Sequence, residues 1–333
     1  MRVAIIKLSA LGDIVHAMAC LQLIRQQSPD LIIDWVVDSK FSPLLEGNSD
    51  ITNIIKLPLK RLIKQKKFLQ LIKLLFRLKT YGKYDVVIDL QGLIKSAFIS
   101  RFLCSDKVFG FDRNSTKETL ASTFYTDKVS VNYSENIITR NSILISKALN
   151  LNLNPALLKN KQKFLFFNKN NNSMIPFSKP FILIAPGASF QSKIFPKKKF
   201  IELTHKFSGK YLVIFGSKQE KAIAEEISLK AFNTKILGNF DIDFLKFLIS
   251  QSFVVIGGDT GPVHLAWGLN RPSIAFFGPT LAKRNFYETD KNISIQSVNK
   301  VDDKHIVKTG NFFTKTKVKD IVDILEKLEK EYK

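Results

Sequence analysis

The chain has 333 residues, 45% of them hydrophobic and 24% charged, a balance that supports folded cores and excludes wholesale disorder. Its formal net charge of +22 implies an anionic partner, whether a membrane surface, nucleic acid or a phosphorylated substrate. Two cysteines, Cys20 and Cys104, exclude a disulfide framework and point to a reducing compartment, and no apolar stretch of about 18 residues offers a membrane span.

Val3 to Ile6 reads as a buried strand, followed by the turn Leu11-Gly12-Asp13 and a helix from about Ile14 to Gln27. Lys7, Asp13 and His16 interrupt this region, so no continuous signal-peptide core is expected. Leu31 to Val37 and Val86 to Leu90 are further strand candidates, short and β-branched, with a helical pattern from about Lys66 to Lys79 between them. Residues 159–174, rich in Asn and Lys, mark a linker between domains at 1–165 and 175–333. Beyond it the alternation returns. Strands are expected at Phe181 to Ala185, Tyr211 to Phe215, Phe253 to Ile256 and Ser273 to Phe277. Helices are expected at about Lys198 to Phe207, Gln219 to Ala231, Ile242 to Gln251 and Val318 to Lys333. Alternating strands and helices predict an α/β protein of two parallel-sheet domains. Open parallel sheets bind ligands at the carboxyl ends of their strands, and the two domains are expected to face each other across a cleft.

The chemistry-bearing residues fall in those strand-end loops. Val254 to Ile256 runs into Gly257-Gly258-Asp259-Thr260-Gly261-Pro262-Val263-His264, where a helix is expected to start at Thr260 or Pro262. Glycines that let a ligand approach, free N–H groups and the helix dipole make this a seat for phosphate, with His264 one turn in. Ser189 and Lys193, in the loop after Ala185, could neutralise a phosphate, although a loop lysine is commonly only solvated. Glu220, after Phe215, could accept from ribose hydroxyls or simply open a helix. Phe277-Gly278-Pro279-Thr280 is a further strand-end turn. Asp13 suits either a capping carboxylate or a general base, and His16 sits one turn beyond it. From Lys56 to Lys83 there are ten Lys or Arg residues and no acid, with Lys60, Lys64 and Lys67 expected on one helical face and Lys66, Lys73 and Arg77 on another stripe. That run fits an anionic bilayer or phosphorylated lipid better than a merely solvated face. No Walker loop, Cys/His metal cluster or dinucleotide glycine fingerprint is present, so no cofactor and no metal are expected. No RNA-binding motif is present either, so nucleic acid is not expected as the partner.

Four segments together resemble the ADP-heptose lipopolysaccharide heptosyltransferases of glycosyltransferase family nine. They are Ser9-Ala10-Leu11-Gly12-Asp13, Asp89-Leu90-Gln91-Gly92-Leu93-Ile94-Lys95-Ser96, Lys193-x-x-Pro196 and Gly258 to His264. Gly110-Phe111-Asp112-Arg113 is similar to a further family segment, and the order matches along essentially the whole chain. The resemblance implies the GT-B fold of two facing Rossmann-like domains. It also implies inverting, metal-independent transfer of heptose from ADP-L-glycero-β-D-manno-heptose to a lipid acceptor. Within the family, the Asp89 to Ser96 segment and the early basic run are most similar to members that add the first heptose to the Kdo of Kdo-lipid A. By resemblance, Asp13 is the catalytic base, and Ser189 and Lys193 bind the donor phosphates. Asp259 holds the heptose hydroxyls, Thr260 and Gly261 offer N–H groups to the diphosphate, Glu220 binds the nucleoside and His264 supports the phosphate site. Lys60, Arg61, Lys64, Lys95 and Arg113 are expected to hold the acceptor. The protein is expected to be a monomer, peripheral on the cytoplasmic face of the inner membrane. Ala19 and Asn136 depart from the pattern, standing where members carry Pro and His.

Overall fold

The computed structural model describes residues 1–168, 175–177, 180–297, 301–302 and 305–332. By its internal contacts the chain divides into two compact units, Met1–Phe166 and Phe167–Lys333.

The first unit is built on a six-stranded sheet of β1 (Arg2–Ile6), β2 (Ile32–Asp38), β3 (Asn53–Leu57), β4 (Val86–Asp89), β5 (Val108–Phe111) and β6 (Asp127–Val129). Its helices are α1 (Leu11–Gln27), α2 (Leu59–Lys64), α3 (Phe68–Leu78), α4 (Ile94–Ser100) and α5 (Ile137–Leu149). Every strand pairing is parallel and the order is β3-β2-β1-β4-β5-β6. Parallel central strands are covered on both faces, which is why β4 is buried at every residue and reads as an apolar run, Val86 to Ile88, ending in the buried Asp89. Phe164 and Leu165 are buried in this unit, and the Asn48 amide donates to the Phe164 carbonyl oxygen at 3.0 Å.

The second unit repeats the plan with β7 (Ile182–Ala185), β8 (Tyr211–Phe215), β9 (Thr234–Gly238), β10 (Val254–Gly258), β11 (Ser273–Phe277) and β12 (Asn292–Gln296). Its helices are α6 (Lys197–Lys206), α7 (Lys218–Lys230), α8 (Ile242–Gln251), α9 (Gly261–Gly268), α10 (Ala282–Asn285) and α11 (Val318–Tyr332). The parallel order is β12-β11-β10-β7-β8-β9, the same as in the first unit when counted from β7. The core clusters Ile184, Phe195, Val213, Ile256 and Phe276 with Ile321, Leu325 and Leu328 of α11, as the helical spacing of that segment predicts.

Each sheet reverses its winding between two central strands, β1 and β4 in one unit and β7 and β10 in the other. Ligands of open α/β sheets bind at such reversals, outside the carboxyl ends of the strands. The loops after β4, β7 and β10 carry the Asp89 to Ser96 segment, Lys193 and Asp259, and Leu11-Gly12-Asp13, expected as a turn, is the opening turn of α1 after β1.

Two expectations change. Residues 59–79 are not arranged as one helical face of Lys60, Lys64 and Lys67 beside a stripe of Lys66, Lys73 and Arg77. The chain breaks at Lys66, which takes φ +54° between α2 and α3, and Lys67 becomes the cap of α3. Lys60 and Lys64 share α2, while only Lys73 and Arg77 remain together on α3. Second, β3, β5, β6, β9 and β12 were not anticipated. They are three to five residues long, and in β3, β6, β9 and β12 polar residues such as Lys56, Lys128, Lys235 and Ser294 interrupt the apolar run. Among the described residues, no helix is long and apolar enough to cross a membrane.

Candidate active site

The second unit gathers its charged residues around Asp259. The carboxylate is buried and accepts from the Lys193 ammonium at 2.6 Å and the Thr280 hydroxyl at 3.0 Å through Oδ2. The His264 Nε2–H donates to Oδ1 at 3.2 Å. Burial alone pushes the carboxyl pKa up. The Lys193 charge and the His264 contact outweigh it and hold the group well below the ordinary carboxylate range. Asp259 is therefore an anion held among three donors, and it fixes where Lys193 points. An ammonium carries three donors, so the 2.6 Å bond to Asp259 leaves Lys193 able to bind a further oxygen.

The glycines before Asp259 have a packing reason as well as the ligand-approach reason expected of them. A Cβ on Gly258 would stand 2.6 Å from the Lys193 carbonyl oxygen, and one on Gly257 would stand 2.8 Å from that of Ala185. The Lys193 loop closes directly over the end of β10, and only glycine admits it. Beyond, Thr260 caps α9 with extended backbone, and Pro262 sits in the first turn as expected. The Thr260 hydroxyl makes no cap hydrogen bond, so the first N–H groups of α9 are not closed off by their own cap residue. Thr260 and Gly261 are half-buried at that end, and Ser189 is exposed on the neighbouring loop. Phe190 lies between two cations, with the Lys193 Nζ 5.8 Å and the Lys308 Nζ 5.5 Å from its ring centroid. Glu220 closes this edge on the β8 side. It accepts from the Gly216 N–H at 2.6 Å, and its Oε1 occupies the space a Cβ on Gly187 would need, 2.2 Å away.

In the first unit Asp13 lies in the opening turn of α1, half-buried, and accepts from the Ala10 N–H at 3.1 Å. Its loop is fastened to the β4 loop. Gln91 Oε1 accepts from the Leu8 and Ser9 N–H groups, both at 3.1 Å, and the buried Lys7 ammonium donates to the Leu90 carbonyl at 2.7 Å. The β4 loop is in turn organised by Asp89. This buried carboxylate accepts from Gln91 N at 2.8 Å, Gly92 N at 3.3 Å, Ser96 Oγ at 2.8 Å and Tyr125 Oη at 2.7 Å. The Asp89-to-Ser96 segment thus works mainly as a brace that presents the Asp13 turn. His16, one turn beyond Asp13, is buried.

On the same edge, Lys60, Arg61 and Lys64 line a pocket of about 800 Å³ together with Lys40 and Lys56. Its one acid, Asp38, is occupied with the Lys40 and Lys60 N–H groups at 3.0 Å each. Lys56 is paired with Glu46 at 2.7 Å, and the remaining four cations around an engaged carboxylate make an anion-binding surface. Lys95 lines a separate pocket of about 480 Å³ with Leu93, Ile94, Phe98 and Glu118, and Arg113 is exposed after β5 outside both. The five expected acceptor residues therefore share one strand-end edge but not one pocket. Asn136 caps α5 by accepting from the Ile138 N–H at 3.0 Å, which gives that departure from the family pattern a structural role.

The family model for glycosyltransferase family 9 (heptosyltransferase) matches residues 72–312. The chain is also 34% identical to the lipopolysaccharide heptosyltransferase 1 of Campylobacter coli, with 98% of this chain and 99% of that protein aligned. This chain belongs to glycosyltransferase family 9, the heptosyltransferases. It is 25% identical to the lipopolysaccharide heptosyltransferase 1 of Escherichia coli over 84% of its length and 88% of the other's. The structure of E. coli heptosyltransferase WaaC with ADP has the same fold, with a TM-score of 0.79 at 21% identity, covering 98% of this chain and 100% of that one. The heptosyltransferase is therefore a glycosyltransferase with two Rossmann-like parallel-sheet domains of the GT-B class.

Four participants at these edges escaped the sequence reading. Thr280 was visible only as a turn residue, because no local pattern tells that its hydroxyl reaches Asp259. Gln91 and Asp89 stand in a family-like segment whose sequence does not state their roles, and Lys308 gives no signal because its position beside Phe190 depends on the packing of residues 307–308 against Ser192. Burial pushes the Cys20 thiol up to about 12, so this buried cysteine stays a thiol near neutral pH.

Proposed function

We propose that this heptosyltransferase adds the first heptose of the lipopolysaccharide inner core, transferring it from ADP-L-glycero-β-D-manno-heptose to the Kdo of Kdo-lipid A with inversion and without a metal. The observation that carries the reading is the 34% identity, over nearly the full length of both chains, to a protein named lipopolysaccharide heptosyltransferase 1. Supporting it, the second unit offers a cation on a fixed carboxylate beside an uncapped helix start, a pairing suited to a diphosphate. The first unit offers a carboxylate in its switch-point loop and a five-cation pocket suited to the phosphates and carboxylates of Kdo-lipid A.

In this mechanism Asp13 takes the proton of a Kdo hydroxyl as that oxygen forms a bond to the anomeric carbon of the heptose. The bond from that carbon to the diphosphate oxygen breaks on the opposite face, and ADP leaves. Lys193 and the N–H groups of Thr260 and Gly261 meet the charge developing on the diphosphate. One well-aimed donor of this kind contributes about 2.7–4 kcal/mol to barrier reduction. Asp259 acts by holding Lys193 and His264 in place, with its remaining acceptor capacity open to a heptose hydroxyl. Ser189, exposed beside Phe190, adds a hydrogen bond to phosphate, and Glu220 receives the nucleoside. The enzyme would work as a monomer on the cytoplasmic face of the inner membrane, touching its anionic surface through the basic segment of residues 56–83.

An acceptor pair tests the assignment. Wild-type protein and ADP-heptose are incubated with Kdo-lipid A or with Kdo-lipid A that already carries its first heptose. Incorporation on the first acceptor alone supports the reading; incorporation on the second alone makes the protein a later-acting transferase.

A further inference from the structure

Helix α3 carries more apolar surface than its own domain covers. Leu75 and Leu78 are buried, with Leu71 and Leu74 packed against the same core cluster. On the neighbouring stripe, Phe68, Leu69, Ile72 and Phe76 are 61%, 78%, 49% and 55% exposed. Their spacing of one, four and eight residues places them along one outward face of a helix. The face continues onto α4. The Phe76 and Phe102 rings meet edge-to-face at 5.9 Å between centroids, Phe98 meets Phe102 at 5.1 Å, and Phe98 and Ile94 are themselves exposed. A contiguous apolar surface of this kind marks an interaction site rather than the scattered exposure ordinary for soluble proteins.

Its surroundings say what covers it. Lys66 and Lys67 precede the stripe and Lys73 and Arg77 run beside it, all exposed and none in an ion pair among the described residues. Lys79 holds its ammonium 5.4 Å from the Phe76 ring centroid. The nearest acids in sequence are Asp50 and Asp85, outside the helix, and at the α4 end of the surface the exposed Glu118 accepts from the Ile94 N–H at 2.7 Å. A second copy of the chain would set these cations against each other, a like-charge contact that costs stability. An anionic bilayer instead accepts the apolar rings among its acyl chains and the cations at its phosphates. We infer that α3 is an interfacial anchor, lying in the membrane surface with Phe68, Leu69, Ile72 and Phe76 inserted and Lys73 and Arg77 at the level of the lipid phosphates.

This deepens the reading of a lipid acceptor and rests on it for its purpose, though binding itself needs no reaction. Only Gln65, Lys66 and Lys67 separate α3 from α2, which lines the five-cation pocket. An anchored α3 therefore holds that pocket at the height of the lipid headgroups, so that the acceptor need not leave the bilayer to be bound.

The test uses full-length protein and sedimentation with phosphatidylcholine vesicles, with or without phosphatidylglycerol. Wild type is expected to bind only the phosphatidylglycerol vesicles, with Leu69→Glu weakening binding about tenfold or more and Lys73→Glu/Arg77→Glu acting likewise. All these positions are exposed, so thermal unfolding should be unchanged. With an O-deacylated, water-soluble Kdo acceptor, Leu69→Glu should keep wild-type kcat and KM, while KM for vesicle-embedded acceptor rises. Unchanged vesicle binding by both variants, or no binding by wild type, overturns the anchor. So does light scattering that shows a wild-type dimer dissociated by Leu69→Glu, since a second copy would then own the face. Failure of wild type to transfer to the soluble acceptor, with vesicle binding intact, would instead count against the proposed reaction.

Discussion

Asp13 and Lys193 carry different kinds of claim. For Asp13 the claim is chemical: among the described residues its carboxylate is in no ion pair, and it accepts from the Ala10 N–H. Asp13→Asn keeps the size and the acceptor oxygen, so the fold and donor binding should persist. Loss of a general base costs about 10²–10⁴-fold in kcat, and single-turnover rates would read it. Near-normal turnover would remove Asp13 from the role. For Lys193 the claim is also structural, because removing one partner of a buried ion pair costs about 3–5 kcal/mol. Lys193→Met should lower the melting temperature strongly as well as raise KM for donor. The pH dependence carries the sign. Asp259 has a depressed folded pKa, so its contribution is present above the ordinary carboxylate pKa of about 3.9 and is lost as pH falls below it. In Lys193→Met, burial dominates and that carboxyl pKa rises, so acidification should cost the variant less than wild type. Melting curves across the acid range decide this. The residue types at both sites were legible because strand-end loops rich in glycine are short and local. Their partners were not, since Thr280 lies 21 residues beyond Asp259 in sequence.

At the scale of elements, the second unit depends on one close approach of backbone to backbone. Gly258→Ala puts a methyl 2.6 Å from the Lys193 carbonyl oxygen, which cannot swing away as a flexible side chain can. Overpacking of this sort costs about 1–3 kcal/mol, and the displaced loop carries Lys193 with it. We expect a lower melting temperature together with weaker ADP binding by calorimetry. Unaltered ADP affinity would mean that the Lys193 loop does not meet the diphosphate. Most inner strands and most long helices were legible from periodicity, several to the residue, as for Tyr211–Phe215, Ile242–Gln251 and Ser273–Phe277. The 13-residue helix α5, the four edge strands and β5 were not. β12, at an edge, alternates Asn292 and Ser294 with Ile293 and Ile295 and is only half-buried over most of its length, which weakens any apolar signal. The break at Lys66 was hidden for another reason, because a lysine in the left-handed region has no signature in composition.

For the whole molecule, the two units repeat one strand order, and each puts its chemistry at its own winding reversal. Division of labour follows from charge. The first unit surrounds one engaged carboxylate with five cations, one of them paired with Glu46, and the second sets one cation against a buried carboxylate beside a helix start. The basic run from Lys56 to Lys83 supplies four of the five pocket cations, Lys56, Lys60, Arg61 and Lys64, whereas the proposed diphosphate site relies on local geometry. The decisive measurement is mass spectrometry of Kdo-lipid A after incubation with the purified protein and ADP-L-glycero-β-D-manno-heptose in excess EDTA. The expected product is an acceptor heavier by one heptose, formed at a rate unaffected by the chelator. An acceptor of unchanged mass, or a gain that appears only when a metal is restored, would contradict it.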